Sequence, residues 1–526
     1  MPADRSGEAA LFSVYDRTGV AELARALAAQ GVAIFATGGT RAHLLEHGID
    51  ARDVGDLTGF PPLFDGRVKT LHPMVFGGIL ADWSNPRHRE EAARHGVGRF
   101  TTVVVNLYPF EATVANRDAT IEEAIEQIDV GGVSLIRAGA KNYTGVSVLV
   151  DPSQYGDFLA TLPAGPDEGA RRMLATRAFE RTAEYDAAIA RYLEAGLAAR
   201  ELPGSLALTL PLAKPLRYGE NPQSRAAFYL SRTETLPEQL WGKELSYNNL
   251  LDLDATLRLL ARAYVPEGAG GGAVAAVRAA IVKHTVPCGV AERDGVAAAV
   301  RDALAADAIS AYGGVVAVDG TVDAAAAEEL AAFFLEIVAA PAFTDDALAR
   351  LRKKKNLRIM RYAPSMPQRL AAELRVRSAL GGVLAEDDDP HAALETWRVV
   401  SRRQPTEGEW RDLRFAWDVV RHVKSNGVVM VRDGVTRGIC AGQTNRVSAV
   451  RIAGVRAAYE TAQGAEGLAG ASDGFFPFAD GLEEAAAAGC SAVIAPQGSI
   501  RDGEVIAAAD ERDVALVFST HRYFLH

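Results

Sequence analysis

Val32-Ala-Ile-Phe-Ala-Thr-Gly-Gly-Thr40 joins a short apolar run to a glycine-rich turn, and this pattern indicates the architecture of the first part of the chain. An unbroken apolar run, rather than an alternating one, predicts a strand that is buried on both faces of a parallel sheet. The turn at residues 37–40 leads into a helical pattern through Leu44 and Leu45. Its free N–H groups and the helix dipole suit a phosphate, although an ordinary tight turn explains the sequence equally well.

The same alternation of apolar runs and helical patterns extends along the first part of the chain. The further elements that it predicts are strands at 11–15, 103–106 and 146–150 and a helix at 20–30. A long helical pattern follows from about Asp167 to Leu197, and proline and glycine then interrupt the chain between residues 201 and 217. We therefore predict an α/β domain with a parallel sheet over 1–200 and a second domain over 201–526.

The second domain is also α/β, but its strands follow one another differently. Its predicted strands are 279–283, 313–318, 426–431, 438–440, 491–495 and 514–518. Asp433-Gly434 between two apolar runs is a hairpin signal. The run from Gly313 to Val322 resembles the run from Asn426 to Val435, and this match hints at two related halves.

Composition bounds the class of protein. Of the 526 residues, 48% are hydrophobic and 23% are charged, which is usual for a globular protein and excludes a largely disordered chain. The formal net charge of −11 disfavours nucleic acid as a partner, because an acidic surface repels phosphodiester backbones. The most apolar stretch, Leu330–Phe343, contains Glu336 and is too short to span a membrane. Three cysteines without a Cys-x-x-Cys pair predict reduced thiols and a cytoplasmic protein.

Several polar segments are candidate sites, each with a plain alternative. Arg67 and Lys69 alternate in a segment rich in glycine and proline, where a solvated loop explains such charges about as often as a site does. Asp129 and Lys141 bracket a short helix with glycines, an arrangement that suits acid–base chemistry. His284 ends an apolar strand and is a candidate general base, with a structural histidine as the alternative.

Two classes of cofactor can be weighed from the sequence. A zinc deaminase would need a second cysteine shortly after Pro287-Cys288, and none follows, so we predict no catalytic metal. Gly268–Ala273 fits a loose dinucleotide fingerprint, but the preceding Val265-Pro266-Glu267 is a poor central strand, which favours a flexible loop. An NAD-dependent enzyme is kept as an alternative, which lack of NAD(H) binding would dismiss.

The order and spacing of the motifs carry a resemblance over nearly the whole chain. The segments concerned are Leu11-Phe-Ser-Val-Tyr-Asp-Arg-Thr-Gly19, Thr37-Gly-Gly-Thr40, Gly66-Arg-Val-Lys-Thr-Leu-His-Pro73, Asn106-Leu-Tyr-Pro-Phe110, Ile128-Asp-Val-Gly-Gly132, Leu216-Arg-Tyr-Gly-Glu-Asn-Pro-Gln223, Val282-Lys-His284, Ser425-Asn426, Ala441-Gly-Gln-Thr-Asn-Arg446 and Phe475-Phe-Pro-Phe478. In them the chain resembles the bifunctional AICAR formyltransferase/IMP cyclohydrolase family of purine biosynthesis, where AICAR is 5-aminoimidazole-4-carboxamide ribonucleotide and FAICAR its formylated product.

The resemblance implies a methylglyoxal-synthase-like cyclohydrolase over 1–200 and a formyltransferase over 201–526, built from two cytidine-deaminase-like α/β units without zinc. The reactions it implies are formyl transfer from 10-formyltetrahydrofolate to AICAR, giving FAICAR, and dehydrative closure of FAICAR to IMP. It further implies a homodimer, with formyltransferase sites completed across subunits, and small-molecule substrates without nucleic acid or membrane. A catalytically reduced, ligand-sensing homologue is a further alternative, and the joint presence of the predicted catalytic residues argues against it.

For ring closure, the resemblance assigns roles to residues of the first domain. The catalytic residues are Lys69, Tyr108, Asp129 and Lys141, with Lys141 as the proton shuttle. The substrate contacts are Asp16, Arg17, Thr37, Gly38, Gly39, Thr40, Arg67, Thr70, Asn106 and Gly131. Arg17 stands where family members often have a lysine, so it keeps the charge but not the compact ammonium group.

For formyl transfer, His284 matches the general base and Lys283 the group that stabilises the oxyanion. The residues that match AICAR contacts are Arg217, Tyr218, Gly313, Glu336, Asn426, Arg446, Asp480 and Arg522. Among them Arg217 and Arg522 are the expected phosphate clamp, a task suited to bidentate donors. Val447 and Phe475 match the side that binds 10-formyltetrahydrofolate.

Overall fold

The computed structural model describes residues 7–61, 63–64, 67–116, 118–195, 202–231, 234–262, 277–387, 394–460 and 466–526. The chain divides into two compact units. Unit 1 runs to Pro211 and takes in Leu230–Glu234, and unit 2 comprises Leu212–Tyr229 and Thr235–His526. The assignment of one activity to 1–200 and the other to 201–526 stays a prediction. The glycine-rich segment 268–273 lies outside the described residues.

Unit 1 is an α/β unit. Its strands are β1 (Glu8–Ser13), β2 (Ala33–Ala36), β3 (Ala51–Asp53), β4 (Arg99–Val105) and β5 (Ser147–Leu149). Its helices are α1 (Val20–Ala28), α2 (Gly38–Glu46), α3 (Val54–Thr58), α4 (Pro73–Leu80), α5 (Pro86–His95), α6 (Phe110–Ala115), α7 (Ile121–Glu126), α8 (Gly131–Lys141), α9 (Tyr155–Ala160) and α10 (Glu168–Ala195), with a 3-10 turn at Pro152–Gln154.

The five strands of unit 1 form a parallel sheet in the order β3-β2-β1-β4-β5, which confirms the predicted architecture. Leu11 and Phe12 are both fully buried and belong to different hydrophobic clusters, one on each face of the sheet. Unbroken apolar runs form such strands because both faces are covered by helices. β1 ends at Ser13, two residues before the predicted end, so Tyr15 lies in the loop that follows.

Unit 2 contains many more elements. Its strands are β6 (Leu212–Leu216), β7 (Ala226–Tyr229), β8 (Glu238–Trp241), β9 (Val277–Lys283), β10 (Val286–Arg293), β11 (Gly314–Val318), β12 (Thr321–Val322), β13 (Leu335–Ala340), β14 (Ala342–Phe343), β15 (Arg358–Arg361), β16 (Arg375–Ala379), β17 (Gly382–Glu386), β18 (Trp397–Val399), β19 (Val428–Arg432), β20 (Val435–Cys440), β21 (Leu468–Ser472), β22 (Cys490–Pro496) and β23 (Ala515–Ser519). Its helices are α11 (Tyr247–Arg258), α12 (Val296–Ala306), α13 (Ala308–Ala311), α14 (Ala324–Ala332), α15 (Asp345–Leu351), α16 (Met366–Ala371), α17 (Glu407–Val420), α18 (Arg446–Glu460), α19 (Asp480–Ala487) and α20 (Asp502–Glu511).

A twelve-stranded sheet shows that unit 2 is a duplication. Its order is β18-β23-β22-β21-β19-β20-β10-β9-β11-β13-β15-β8. In each half a hairpin is followed by one antiparallel and two parallel strands: β10-β9-β11-β13-β15 in the first repeat and β20-β19-β21-β22-β23 in the second. The repeats join where β10 and β20 pair antiparallel at Ala291 and Val435.

The two repeats are real, but the sequence match that suggested them pairs the wrong strands. It aligns β11 with β19, whereas the topology makes β9 the counterpart of β19 and β11 the counterpart of β21. Buried strands that are rich in valine have similar sequences whatever their place in a sheet. A ten-residue match therefore cannot decide which strands of the two repeats correspond. Gly289 and Gly438 mark the true register, because each lies against a backbone carbonyl of the following helix, Ala303 in α12 and Ala453 in α18.

Helices cover both faces of the large sheet. Val282 and Val429 point into a core shared by both repeats, with α11 and α17. Ile281 points into a core with α12, α14 and α15, and Met430 into one with α18, α19 and α20. Within the described ranges, no helix combines the length and the apolar character needed to cross a membrane.

Candidate active sites

Unit 1 contains a cavity of about 870 Å³ at the carboxyl ends of its strands. Its lining residues are Ser13, Val14, Tyr15, Arg17, Thr37, Gly39, Thr40, Arg67, Lys69, Thr70, Asn106, Tyr108, Ile125, Glu126, Ile128, Asp129, Val130, Gly131 and Gly132. The carboxyl edge of an open parallel sheet is the usual place for a ligand, because the loops that follow the strands meet there. Eleven predicted residues therefore come together in one cavity, from five separate stretches of the chain.

The start of α2 forms one end of this cavity. Thr40 Oγ1 exchanges hydrogen bonds with the backbone of Val14 at 3.0 Å, and Thr37 Oγ1 donates to Ser13 Oγ at 3.1 Å. The Arg17 guanidinium lies over Gly39, where an added Cβ would be 2.7 Å from Nη2. With the threonine hydroxyls engaged, the N–H groups at the helix start and Arg17 are the groups suited to an anion such as phosphate.

Two predicted contacts, Asp16 and Asn106, hold the loop that follows β1. Asn106 Oδ1 accepts from the backbone N–H groups of Tyr15 at 2.7 Å and Asp16 at 2.9 Å, and Asn106 Nδ2 donates to the Asp16 carbonyl at 2.8 Å. The Asp16 carboxylate accepts from the Thr18 hydroxyl and backbone N–H, which lower its pKa. Asp16 and Gly38 are not among the lining residues of the cavity, so Asp16 acts on the shape of the loop.

Asp129, Tyr108 and Lys69 form the polar centre of the other end. Burial raises the pKa of Asp129, while the backbone N–H groups of Gly132 and Tyr108 and the charge of Lys69 act in the opposite direction. Burial, followed by the charge of Asp129, raises the pKa of Tyr108. A desolvated carboxyl group, a phenol and an ammonium group at one spot can position a substrate amide and exchange protons with it.

Glycine is required where α8 begins. Gly132 N donates to Asp129 Oδ1 at 2.6 Å, and a Cβ at Gly132 would overlap the same carboxylate. A Cβ at Gly131 would lie 3.1 Å from Thr70 Oγ1. The pair of glycines therefore lets the start of α8 approach both Asp129 and the buried Thr70.

Lys141 does not line this cavity. It lies at the far end of α8, about 15 Å along the helix axis from Asp129. There it lines a second cavity of about 650 Å³ together with two more cations, Arg137 and Arg172. The structure thus separates Lys141 from the other three predicted catalytic residues of the same chain.

Sequence reasoning missed some of the cavity lining. Tyr15 packs edge to face against Tyr108, with ring centroids 5.9 Å apart, and Glu126 forms an ion pair with Arg67. The sequence offers a signal for Tyr15, since it lies in the motif Leu11–Gly19 next to the predicted contacts Asp16 and Arg17. The sequence offers no signal for Glu126, because a single glutamate on the exposed face of a short helix is common in any protein.

In unit 2, Lys283 and His284 lie on the β9–β10 hairpin. Lys283 Nζ donates to the Tyr312 carbonyl at 2.8 Å, immediately before the predicted contact Gly313. His284 and Thr285 both have left-handed backbone conformations, with φ of 57° and 60°. Asp252 on α11 accepts from the Thr285 backbone N–H at 2.7 Å. Burial raises the pKa of Asp252, against the effects of the Thr285 and His284 N–H groups and the His284 imidazole.

Other predicted AICAR contacts lie in the same repeat or in the small β6-β7 sheet that precedes it in the chain. Glu336 pairs with Arg358 at 2.7 Å, at the amino end of β13. Gly313 has a φ of 76°, and its N–H donates to the Phe334 carbonyl at 2.8 Å. The Arg217 guanidinium stacks on its neighbour Tyr218, 4.7 Å from the ring centroid, in the turn between β6 and β7.

The remaining contacts gather in the second repeat. Arg446 is buried, forms an ion pair with Asp473 and donates to Ser472 Oγ at 2.9 Å. Asn426 Nδ2 donates to the Gln443 carbonyl at 2.8 Å. Phe475 and Asp480 are exposed just beyond β21, and Val447 is half-buried at the start of α18.

Arg522 reaches this group from the end of the chain. Its guanidinium lies 4.7 Å from the centroid of the Phe524 ring. A Cβ at Gly474 would collide with both Phe524 and the Arg446 guanidinium, so these two side chains meet there. Phe524 thus contacts Arg522 on its ring and approaches Arg446 at Gly474, although 76 residues separate the two arginines in the sequence.

The predicted residues around Lys283 and His284 in the first repeat and those around Asn426 and Arg446 in the second lie on the same edge of the large sheet. The carboxyl end of β9 lies beside the amino ends of β10 and β11, and the carboxyl end of β20 lies beside the amino end of β19 and the carboxyl end of β21. Only β10 separates β9 from β20, so these ends are about 10 Å apart. Across the described parts of both units, no cluster of three or more His, Cys, Asp or Glu residues could hold a metal ion.

These features define a two-unit α/β protein that has a parallel-sheet unit and a duplicated mixed-sheet unit. The family model of the MGS-like domain matches residues 19–134, and the model of the AICARFT/IMPCHase bienzyme matches 139–456. The chain is 48% identical to the bifunctional purine biosynthesis protein PurH of Chloroflexus aurantiacus, with 98% of each chain covered. It is 46% identical to the same protein of Ruegeria sp. and 45% to that of Jannaschia sp., again with 98% covered on both sides.

The chain therefore belongs to the AICARFT/IMPCHase bienzyme family. Its reactions are the two that the family name describes, the last two steps of IMP synthesis. One is formyl transfer from 10-formyltetrahydrofolate to AICAR, which gives FAICAR, and the other is the closure of FAICAR to IMP with loss of water. The fold and the function predicted from the motifs are thus confirmed.

Proposed function

We propose that FAICAR is closed to IMP in the cavity of unit 1, and that AICAR is formylated at the edge of the large sheet in unit 2. The observation that carries the first half is the cavity itself. The N–H groups at the start of α2 follow β2, and the carboxyl–phenol–ammonium group lies by the end of β4, on the other side of β1. A nucleotide has the same polarity, with its phosphate at one end and its base at the other.

For ring closure, Asp129 and Tyr108 position the carboxamide, whose nitrogen attacks the formyl carbon. Lys69 stabilises the negative charge that develops on the formyl oxygen, which finally leaves as water. Arg17 and the N–H groups of residues 37–40 hold the phosphate. Arg67, Thr70 and Gly131 line the cavity between the two ends and complete the nucleotide contacts.

For formyl transfer, the acceptor amine is conjugated with its imidazole ring and is a poor nucleophile. His284 takes its proton as the nitrogen attacks the formyl carbon, and Lys283 stabilises the oxyanion. The bond from that carbon to the folate nitrogen then breaks and releases tetrahydrofolate. Arg217 and Arg522 clamp the phosphate, Tyr218, Gly313, Glu336, Asn426, Arg446 and Asp480 contact the nucleotide, and Val447 and Phe475 lie on the folate side.

A pair of variants tests this division of labour. His284→Ala should lose formyl transfer by about a hundredfold or more, while it converts supplied FAICAR to IMP at the wild-type rate. Asp129→Asn should show the reverse pattern. Loss of both activities in either folded variant would refute the assignment of the activities to the two units.

A homodimer is part of the proposal. Three large apolar side chains, Ile309, Val455 and Tyr459, line one cavity near the junction of the repeats and are between 69% and 76% exposed. Such a patch is typical of an interface. Light scattering should give twice the chain mass of 55.9 kDa, and a monomeric mass at assay concentration would contradict the proposal. We expect this dimer in the cytoplasm, without nucleic acid or membrane as a partner.

A further inference from the structure

The last seven residues, Thr520–His526, lie outside any helix or strand, and they carry Arg522. A segment outside helices and strands has no ladder of backbone hydrogen bonds to hold it. A phosphate clamp needs a segment with a fixed position, since an arginine that samples many positions loses the geometry on which bidentate binding depends. Something in unit 2 must therefore hold this tail in place.

Glu395 lies at the start of the tail and is only 4% exposed. Its Oε1 atom accepts hydrogen bonds from Trp397 Nε1 at 2.7 Å, Trp417 Nε1 at 2.9 Å and Ser519 Oγ at 2.6 Å. Its Oε2 atom accepts from the Tyr523 hydroxyl at 2.7 Å. None of these four donors is a cation.

Burial of a carboxyl group is costly, and four hydrogen bonds offset that cost. Trp397 lies on β18 and Trp417 on α17, so two of the donors anchor Glu395 to the body of unit 2. The other two, Ser519 and Tyr523, lie on either side of Arg522 in the sequence. One carboxyl group thus joins the rigid part of the unit to both ends of the segment that carries Arg522.

Further contacts fix the rest of the tail. Tyr523 N donates to the Asp473 carbonyl at 3.1 Å, and Ser425 N donates to the Leu525 carbonyl at 2.8 Å. The Tyr523 ring also packs against Trp417, with centroids 5.5 Å apart, and under the Arg421 guanidinium at 4.3 Å. The tail is therefore tied to the loop that carries Asn426 and to Asp473, the ion-pair partner of Arg446, and Glu395 is the buried group at its base.

We propose that Glu395 is a positioning residue for the formyltransferase: it holds the Tyr523 hydroxyl and thereby places Arg522 at the AICAR phosphate. The proposal rests on the proposed role of Arg522 as part of the phosphate clamp. It predicts a defect in AICAR binding without a defect in the chemical step, since Glu395 does not touch the reacting atoms.

Glu395→Gln tests it. With the amide oxygen kept by the two tryptophans and Ser519, the amide nitrogen faces Tyr523 and can only donate, so the Tyr523 hydroxyl loses its acceptor and must turn. We expect the KM for AICAR to rise about tenfold, kcat at saturating AICAR to stay within about threefold of wild type, and closure of supplied FAICAR to be unchanged. Glu407→Gln, which removes an exposed carboxyl group from α17, is the matched control and should leave the KM unaltered.

The double variant with Arg522→Ala separates positioning from general damage. If Glu395 acts through Arg522, Glu395→Gln adds nothing to the KM of Arg522→Ala, because residues that act as a unit are not additive. If Arg522→Ala itself leaves the KM unchanged, the clamp of the proposed function is wrong. If Arg522→Ala raises the KM and Glu395→Gln does not, the clamp stands and the inference falls.

Two milder variants decide the matter if Glu395→Gln fails to fold. Tyr523→Phe and Ser519→Ala each remove one donor and leave the carboxyl group and both tryptophans in place. Each should raise the AICAR KM by several-fold and increase the hydrogen exchange of the amides of residues 520–526. A wild-type KM in both variants would overturn the inference.

Discussion

At Gly132 the start of α8 has no room for a methyl group. A Cβ there would overlap the Asp129 carboxylate, which accepts the Gly132 N–H bond. We expect Gly132→Ala to displace Asp129 and to lower cyclohydrolase turnover by about tenfold or more, with formyl transfer unchanged. Gly156→Ala, on a helix where the added Cβ meets nothing within 4 Å, is the control and should keep both activities. A fully active Gly132→Ala would show that Asp129 tolerates displacement.

Asp252 is a second residue whose role follows from contact rather than from sequence. Left-handed conformations cost energy for His284 and especially for the β-branched Thr285, and the hydrogen bond to Asp252 offsets that cost. Asp252→Ala should therefore release the turn and lower the formyltransferase kcat by about tenfold, with ring closure unaffected. Asp254→Ala on the same helix, which removes a half-exposed partner of Arg258, should change little. Equal losses in the two variants would contradict a specific role for Asp252.

The residues that we propose to touch substrate stand out in the sequence more clearly than the residues that hold them in place. Lys69, Asp129 and His284 belong to motifs whose residue types fit the chemistry. Asp252 and Glu395 lie in stretches without a motif, and each gains its role from a contact with a segment more than 30 residues away. Nothing in the local sequence distinguishes such a carboxyl group from an ordinary one on a helix or loop.

At the scale of elements, β10 and β20 each approach the following helix through one glycine. A Cβ at Gly289 or Gly438 would overlap a helix carbonyl, so the methyl group must push α12 or α18 away from the sheet. We expect each alanine variant to lose about 1–3 kcal/mol of unfolding free energy, measured by denaturant unfolding. Gly408→Ala, where the added Cβ has open space, is the control. Wild-type stability in both strand variants would mean that the helices can shift without cost.

Several strands were predicted where the apolar run is unbroken, but the equally apolar β13 was not among them. Unbroken apolar runs located β2, β4 and β9, and Asp433-Gly434 located the β19–β20 hairpin. β3 was missed because it has only three residues, one of them the charged Arg52. The pairing of strands across the repeats was also beyond the sequence, since it depends on contacts between residues such as Ala291 and Val435 that are far apart in the chain.

At the scale of the whole molecule, Lys141 poses a geometric problem. Asp129 and Lys141 stand at opposite ends of α8, about 15 Å apart, and line different cavities. A lysine side chain cannot span that distance to a substrate held by Asp129 in its own chain. If Lys141 carries the proton in ring closure, it must serve the cavity of a second copy, and we propose that arrangement for the homodimer.

Mixed dimers test this arrangement. Lys141→Arg keeps a cation but cannot release a proton near neutral pH, so this variant and Asp129→Asn should each be inactive in ring closure alone. When they are co-expressed at equal levels, half of the dimers are mixed, and one site in each mixed dimer receives Asp129 from one chain and Lys141 from the other. We expect recovery of about a quarter of the wild-type cyclohydrolase activity, because mixed dimers hold half of all sites and half of those are intact.

The same mixture made from Asp129→Asn and Lys69→Ala chains should stay inactive, since both residues line one cavity of one chain. Without recovery in the first mixture, Lys141 does not act across subunits, and the proton must be carried by water or by another group in the unit 1 cavity.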